Sequence, residues 1–387
     1  MVLIKKIIID TRDFIIFIFD GIVKLFLKPS SKSQKKNLLF VRTDAIGDFI
    51  LWLDAAKTLR LYYKDYHITL VCNTVVADLA KSLPYFDKII PIKPLDFRKK
   101  LIYRYQILKH IVSESYEKAI HFPYTRHQYF LSGEAIIRVV YAKEKIGSEG
   151  ERVKNWRYSL GKRFYTKLLP ASNENLMELK RNEEFLKGLG LKNYTAKIYK
   201  FPEFIFQPVH YEYDYIIFPG ASSIKKQWPI ENFAKVAKFI YNKTGWTGLI
   251  CGGPGEEILA KQLIKLANVP LINIAGRTSL RELVNLVQKA NFLISNDTGI
   301  VHIAASVGTT AICILGGWHY GRFLPYPKMG KNNLPIVVNY KMDCYHCNEK
   351  CIFSVSVNDR PPCIANISIK QVIKLIENQL LINNFTI

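Results

Sequence analysis

The sequence predicts an α/β protein built from two Rossmann-like domains with parallel sheets, preceded by a separate N-terminal helix. Length is the first observation behind this: 387 residues are more than one core usually organises, at roughly 100 to 200 residues per domain. The second is that short apolar runs alternate with helical patterns in two separate stretches, the rhythm of parallel strands joined by crossover helices. The third is that each strand candidate of the second stretch runs into a turn of small residues, the place where helix N-termini offer backbone N–H groups to anions.

The N-terminal element reads "MVLIKKIIIDTRDFIIFIFDGIVKLFLKP". At about 100° per residue, Lys6, Asp10, Asp13, Asp20, Lys24 and Lys28 fall on one narrow face, and Ile, Phe and Leu cover most of the rest. That predicts an amphipathic helix over residues 1–30 with a wide apolar side, ended by Pro29. Its longest uncharged run, Phe14–Phe19, falls far short of the roughly 20 apolar residues of a membrane span. Charges interrupt the apolar region and no small-residue cleavage site follows, so the segment does not read as a cleaved leader. Two docking modes fit it equally well: attachment to a membrane surface, or packing against the body of the protein or a partner.

After the polar linker "SSKSQKK", strand candidates fall at Leu38–Val41, His67–Cys72, Lys88–Pro91 and Lys118–His121, with helical patterns between them. In "VRTDAIGDFILWLDAAKTLR", Phe49, Ile50, Leu53, Ala56 and Leu59 recur at helical spacing behind an apolar strand, so Asp44–Asp48 should form the strand-to-helix turn. In open α/β sheets that edge is where ligands bind. The structural alternative is that Asp48 merely favours the positive end of the helix. The alternation blurs over residues 124–200 and resumes at "YDYIIFPG", "WTGLICGG", "LINIAG", "NFLISND" and "TAICILGG". A boundary is expected near "KFPEFIFQPVHYEYD", giving a helix over 1–30, a first domain over 37–205 and a second over 206–387, with a cleft between the domains.

The loop "FPGASSIKKQWPIENFAKVAKFI" is the richest candidate for a diphosphate: Gly220, Ala221, Ser222 and Ser223 offer amides and hydroxyls, and Lys225 and Lys226 add charge. A lysine-bearing surface loop is the plainer reading. Ser279 and Glu282 form a capping-box pattern, a structural device. Asp297, Thr298 and Gly299 stand at another strand-to-helix turn with His302 close behind, where a lone histidine is more often structural than catalytic.

With 55 Lys and Arg against 32 Asp and Glu, the net charge is +23, which suits nucleic acid, an anionic membrane or an acidic substrate. Much of the excess lies in "KPLDFRKKLIYRYQILK" and "ERVKNWRYSLGKRFYTK", each of which also reads as a solvated helix face. No RNA- or DNA-binding signature accompanies them, so nucleic acid is not expected as a partner. Of seven cysteines, Cys72, Cys251 and Cys313 sit in predicted strands. Cys344, Cys347, Cys351 and Cys363 cluster and could bind zinc or pair as disulfides, but their C-x2-C-x3-C-x11-C spacing is not a standard zinc knuckle. No Asp-x-Asp pair stands in a plausible site, so no obligatory catalytic metal is expected. The first turn lacks G-x-G-x-x-G, which argues against a dehydrogenase.

In order and spacing, Asp-Ala-Ile-Gly-Asp near the start, "PGASSIKKQWP", "CGGPGEE" and "AGRTSLRELVNLVQKANFLISNDTGIVHIAASVGTTAICILGG" closely resemble glycosyltransferase family 9, the lipopolysaccharide heptosyltransferases. The resemblance runs from about Leu38 to Gly317. It implies a GT-B fold, two Rossmann-like domains facing across a cleft, with acceptor on the first and nucleotide sugar on the second. It also implies inverting transfer of a sugar, a heptose above others, from a nucleotide-diphosphate donor such as ADP-heptose to a lipopolysaccharide-core-like glycolipid. The family's catalytic aspartate falls on Asp48, with Asp44 as the reserve base, and its phosphate-binding lysine falls on Lys226. Its phosphate-binding Asp-Thr-Gly falls on Asp297, Thr298 and Gly299, its hydroxyl pair on Ser222 and Ser223, and its ribose-binding acid on Glu256 or Glu257. An enzyme of this kind would work at the cytoplasmic face of the inner membrane. The alternative is a non-catalytic nucleotide-sugar or glycan-binding scaffold, which would have no need of the base at Asp48.

Overall fold

The computed structural model describes residues 2–29, 36–153, 155–172, 174–329, 334–347, 351–353, 355–356 and 359–382. The chain forms two units, one of Met1–Ala45, Trp52–Glu174 and Leu179–Ala196, the other of Ile46–Leu51, Asn175–Glu178 and Lys197–Ile387.

The first unit holds β1 (Asn37–Arg42), β2 (His67–Asn73), β3 (Lys88–Ile92), β4 (Tyr116–His121), β5 (Ala142–Ser148) and β6 (Lys167–Leu169). They form one parallel sheet in the order β3-β2-β1-β4-β5-β6. Leu38 of β1 stands between Ile68 and Lys118 of its neighbours, and β1 is buried throughout, as a central parallel strand covered on both faces must be. Its helices are α1 (Val2–Phe26), α2 (Ile46–Tyr62, whose first turn belongs to the other unit), α3 (Thr74–Lys81), α4 (Pro94–Lys99), α5 (Leu101–Val112), α6 (Gly133–Val139), α7 (Trp156–Gly161) and most of α8 (Glu178–Gly188). The core gathers Leu39, Val41, Val71, Ile90, Leu108, Ile111, Ala119 and Ile136.

The second unit repeats the plan. β7 (Tyr215–Phe218), β8 (Gly248–Ile250), β9 (Leu271–Asn273), β10 (Phe292–Asn296), β11 (Thr310–Ile314) and β12 (Ile336–Val338) run parallel in the order β12-β11-β10-β7-β8-β9. Each sheet thus follows the 3-2-1-4-5-6 strand order of a dinucleotide-binding fold. The helices are α9 (Ile230–Thr244), α10 (Glu257–Ala267), α11 (Leu280–Lys289), α12 (Gly299–Val307), α13 (Pro362–Ala365) and α14 (Ile369–Ile382). Ser279 and Glu282 close the expected capping box on α11. The irregular stretch before β7 packs within this unit: Lys200 donates to the Ala305 carbonyl, Gln207 N–H to Asn285 Oδ1, and the Tyr213 hydroxyl to the Leu286 carbonyl.

Three details differ from the sequence reading. β5 and β6 lie in the stretch where no strand was expected, because β5 carries Lys143, Glu144 and Lys145 and β6 is only three residues long. α2 starts at Ile46, so Asp48 lies inside its first turn and not in the preceding turn, while the N-cap Ala45 has no side chain to cap with. α1 ends at Phe26, before Pro29 is reached.

α1 packs by a face that combines its acids with Ile16, Phe17, Phe19, Val23 and the adjoining Leu27. Arg157 of α7 donates to Asp10 and Asp13, Arg104 of α5 makes a bidentate pair with Asp20 at 2.6 Å, and Lys24 Nζ reaches the Arg138 carbonyl. Arg104 and Asp20 are buried on both sides of the pair. Removing one partner of such a pair strands a charge out of water, so Arg104→Ala should lower stability by about 3–5 kcal/mol. Arg104→Leu combined with Asp20→Leu should recover most of the loss, as read by denaturant unfolding.

Candidate functional site

Ligands of doubly wound sheets bind outside the carboxyl ends of the strands, where the strand order reverses. In the second sheet that point lies between β7 and β10. The loops that leave these two strands carry Ser222, Ser223 and Lys226 on one side and Asp297, Thr298 and Gly299 on the other. The structure brings them together: Lys226 Nζ is 2.9 Å from Asp297 Oδ2 and 3.5 Å from His319 Nδ1. Burial pushes the Asp297 carboxyl up, but the charge and hydrogen bond of Lys226, with His319 and His302, outweigh it and hold the carboxyl below its ordinary range. Asp297 is therefore ionised at neutral pH. Thr298 caps α12 by position and its hydroxyl meets Ser295 Oγ at 3.2 Å, so the first turn of α12 opens beside the Lys226 ammonium.

The lysine loop is held at both ends by one side chain. Asn296, fully buried at the end of β10, donates to the Pro219 carbonyl at 2.7 Å and accepts from the Trp228 N–H at 2.9 Å. Ser223 accepts from the Lys225 N–H at 3.3 Å, starting a single helical turn, while Ser222 is exposed. Glu256 lies against the same loop: a Cβ on Gly220 would sit 1.9 Å from Glu256 Oε1, so any side chain there would displace the carboxylate. Glu256 accepts from the Gly253 N–H, and burial raises its pKa. Glu257 instead accepts from the Gly255 N–H and abuts Gly276, which makes Glu256 the acid that borders Gly220.

The turn Ile46–Leu51 joins this constellation within the second unit. A Cβ on Gly299 would lie 2.7 Å from Ile46 Cγ2, and one on Gly47 would lie 3.0 Å from His302 Cδ2, so the two turns meet through their glycines. Burial pushes the His302 imidazole down to about 4, against the pull of the Asp297 and Asp48 carboxylates and with the help of Lys226, so the ring is neutral at pH 7. Its Nδ1 pairs with the Tyr326 hydroxyl at 2.8 Å. Asp48 is half-buried in this turn. Asp44 belongs to the first unit, where its carboxylate is buried 3.2 Å from Arg42.

Asn296, His319 and Tyr326 are the residues that sequence reasoning missed. Asn296 had a signal, an amide at the end of a strand that begins Phe-Leu-Ile, whereas His319 and Tyr326 arrive from an irregular segment with no periodicity to mark them. Cys344, Cys347, Cys351 and Cys363 line one cavity with Lys225, Gly317 and Trp318, and no disulfide joins them. Among the described residues, no three His, Cys, Asp or Glu side chains are disposed to hold an ion.

The two parallel six-stranded sheets are those of the GT-B fold. The profile of glycosyltransferase family 9 (heptosyltransferase) matches residues 192–353. The lipopolysaccharide core heptosyltransferase OpsX of Haemophilus influenzae is 24% identical over 324 residues, covering 80% of this chain and 86% of that one. Lipopolysaccharide heptosyltransferase 3 of Escherichia coli is also 24% identical, covering 72% and 82%. Among solved structures, the family 9 glycosyltransferase of Veillonella parvula superposes with a TM-score of 0.66 at 20% identity over 89% of this chain and 97% of that one. The E. coli ADP-heptose lipopolysaccharide heptosyltransferase II does so with 0.63 at 16% identity over 90% and 99%. The chain is similar to glycosyltransferase family 9 across residues 192–353 and is an enzyme of glycosyl transfer.

Two outcomes test the geometry. Asn296→Ala leaves the Trp228 N–H and the Pro219 carbonyl buried without their partner, so unfolding free energy should fall by about 1–3 kcal/mol. The second concerns His302 and His121, which burial pushes down to about 4 and about 3. Between an unfolded value near 6.5 and those folded values the unfolded chain binds the extra protons, so stability falls as pH falls, by up to ~1.4 kcal/mol per pH unit for each ring. Thermal unfolding followed from pH 7 to pH 4.5 should show this slope, and His302→Gln should flatten it.

Proposed function

We propose that the enzyme transfers a heptose, with inversion, from a nucleotide-diphosphate donor of the ADP-heptose type to a hydroxyl of a lipopolysaccharide-core-like glycolipid. It would act at the cytoplasmic face of the inner membrane. The single observation that carries the reading is the Lys226–Asp297 pair at the strand reversal, beside the N-terminus of α12 and in the same unit as the Asp48 turn. Support for the sugar comes from the relatives, which are named as heptosyltransferases of lipopolysaccharide.

The chemistry assigns the roles. Asp48 takes the proton of the acceptor hydroxyl as its oxygen bonds to the anomeric carbon, and the bond from that carbon to the diphosphate oxygen breaks with its electron pair leaving on the nucleotide. The sugar passes through an oxocarbenium-like state while negative charge gathers on the leaving group. Lys226, the Ser222 and Ser223 loop and the α12 start at Thr298 and Gly299 meet that charge. Asp297 carries a negative charge of its own, so its part in phosphate binding is to aim the Lys226 ammonium. Glu256, bordering the loop, suits a ribose hydroxyl. Asp44, already paired with Arg42, is the reserve base.

Asp48→Asn keeps size and removes basicity, so turnover should fall by roughly 10²- to 10⁴-fold with donor affinity nearly unchanged. Lys226→Ala should weaken donor binding and slow turnover together, because the cation faces the diphosphate in ground and transition states alike. Both variants must first melt like the parent. A folded Asp48→Asn enzyme with near-parental turnover, alongside an inactive Asp44→Asn, would move the base to Asp44.

A further inference from the structure

α1 is apolar on both sides: Ile16, Phe17, Phe19, Val23 and the adjoining Leu27 pack on the protein, and a second apolar stripe faces outward. Its three acids face the protein: Asp10 and Asp13 accept from Arg157, and Asp20 from Arg104. Arg138 donates to the Phe17 carbonyl, the Tyr141 hydroxyl to the Lys24 carbonyl, and Ile16 and Val23 are buried. From residue 12 to residue 27 the exposed positions are all apolar: Phe14, Ile15, Ile18, Ile22, Leu25 and Phe26. Leu25 and Phe26 expose 73% and 80% of their surface. At about 100° per residue, Ile15, Ile18, Ile22, Leu25 and Phe26 share an arc about 100° wide, opposite the acids. A helix docked on its own protein normally buries that arc.

We propose that α1 lies in the plane of an anionic lipid bilayer, its outward stripe sunk at the headgroup boundary and its charged face joining it to the first unit. The proposal rests on the reading of the enzyme as one that works on a membrane glycolipid, and it names the element that makes the contact. Charge selects the occupant. Residues 1–36 carry eight Lys and Arg against three Asp, and all three Asp are paired inward. The stripe therefore meets its surroundings with no outward acid, and lysines flank it in sequence at both ends: Lys5 and Lys6, then Lys28, Lys32, Lys35 and Lys36. Anionic headgroups complement such ends. A second copy of the helix does not, because parallel or antiparallel pairing sets lysines against lysines. No described helix is long and apolar enough to cross a membrane, so the helix lies on the bilayer and does not span it.

The test uses the full chain, because deleting α1 would strand Arg104 and Arg157. Flotation with vesicles of one-third phosphatidylglycerol in phosphatidylcholine should recover the parent, with less binding to pure phosphatidylcholine and release as salt rises. Ile18→Glu with Ile22→Glu, two exposed sites, should cut partitioning at least tenfold while melting temperature and nucleotide-diphosphate binding stay at parental values. The proposal fails if the parent does not float, if the double variant floats equally well, or if binding ignores lipid charge. It also fails if the stripe instead drives self-association that the double variant abolishes in sedimentation. Loss of nucleotide binding in the parent would count against the proposed function and leave the flotation result standing.

Discussion

The buried carboxylate of Asp297 is the constraint on which the site of the second unit depends. Taking a carboxylate out of water costs several kcal/mol unless a cation and hydrogen bonds replace its hydration. Lys226 supplies both, at 2.9 Å, from a loop that reaches it because β7 and β10 are neighbours in the sheet. Consecutive residues at a strand end point in opposite directions, so Asn296 and Asp297 can do different work. Asn296 grips the backbone where the lysine loop begins and ends, and Asp297 grips the ammonium at its centre. A loop with one short helical turn is thereby fixed at three points, and its cation is aimed before any anion arrives.

Close approach of backbone does the same for the Asp48 turn. Gly299 leaves no room for a Cβ beside Ile46, and Gly47 leaves little beside His302, so the two turns touch where side chains would have held them apart. The His302 ring that fills the contact is neutral, because its burial outweighs the carboxylates around it. The positive charge beside Asp297 thus comes from Lys226 and the N-terminal turn of α12, and not from this ring.

Legibility in the sequence followed burial. Strands buried on both faces, such as β1 and β10, read as short apolar runs, and the strand-to-helix turns after such strands carry the candidate residues, so the order of Asp48, Lys226 and Asp297 along the chain was legible. β5 was not, because a half-exposed strand containing Lys143, Glu144 and Lys145 has neither a long apolar run nor a clean alternation. The pairing of Lys226 with Asp297 and the neighbourhood of His319 depend on two loops that are 71 and 93 residues from the lysine in sequence, and nothing local encodes that distance. Asp44 and Asp48 looked alike in sequence. What separates them is Arg42, whose guanidinium is buried against Asp44.

The same electrostatic rule orders the N-terminal helix. Asp13 and Asp20 are almost fully buried, which is tolerable only because Arg157 and Arg104 reach them with paired hydrogen bonds. A buried ion pair adds little net stability compared with apolar packing of the same volume, yet it is highly selective about which face is buried. That selectivity acts together with the packing of Ile16, Phe17, Phe19, Val23 and Leu27 on the first unit and leaves the other apolar arc outward. Packing on the protein therefore occupies one face of the helix and leaves the opposite face for the proposed contact with a bilayer, so the two docking modes that fit the sequence equally well need not compete.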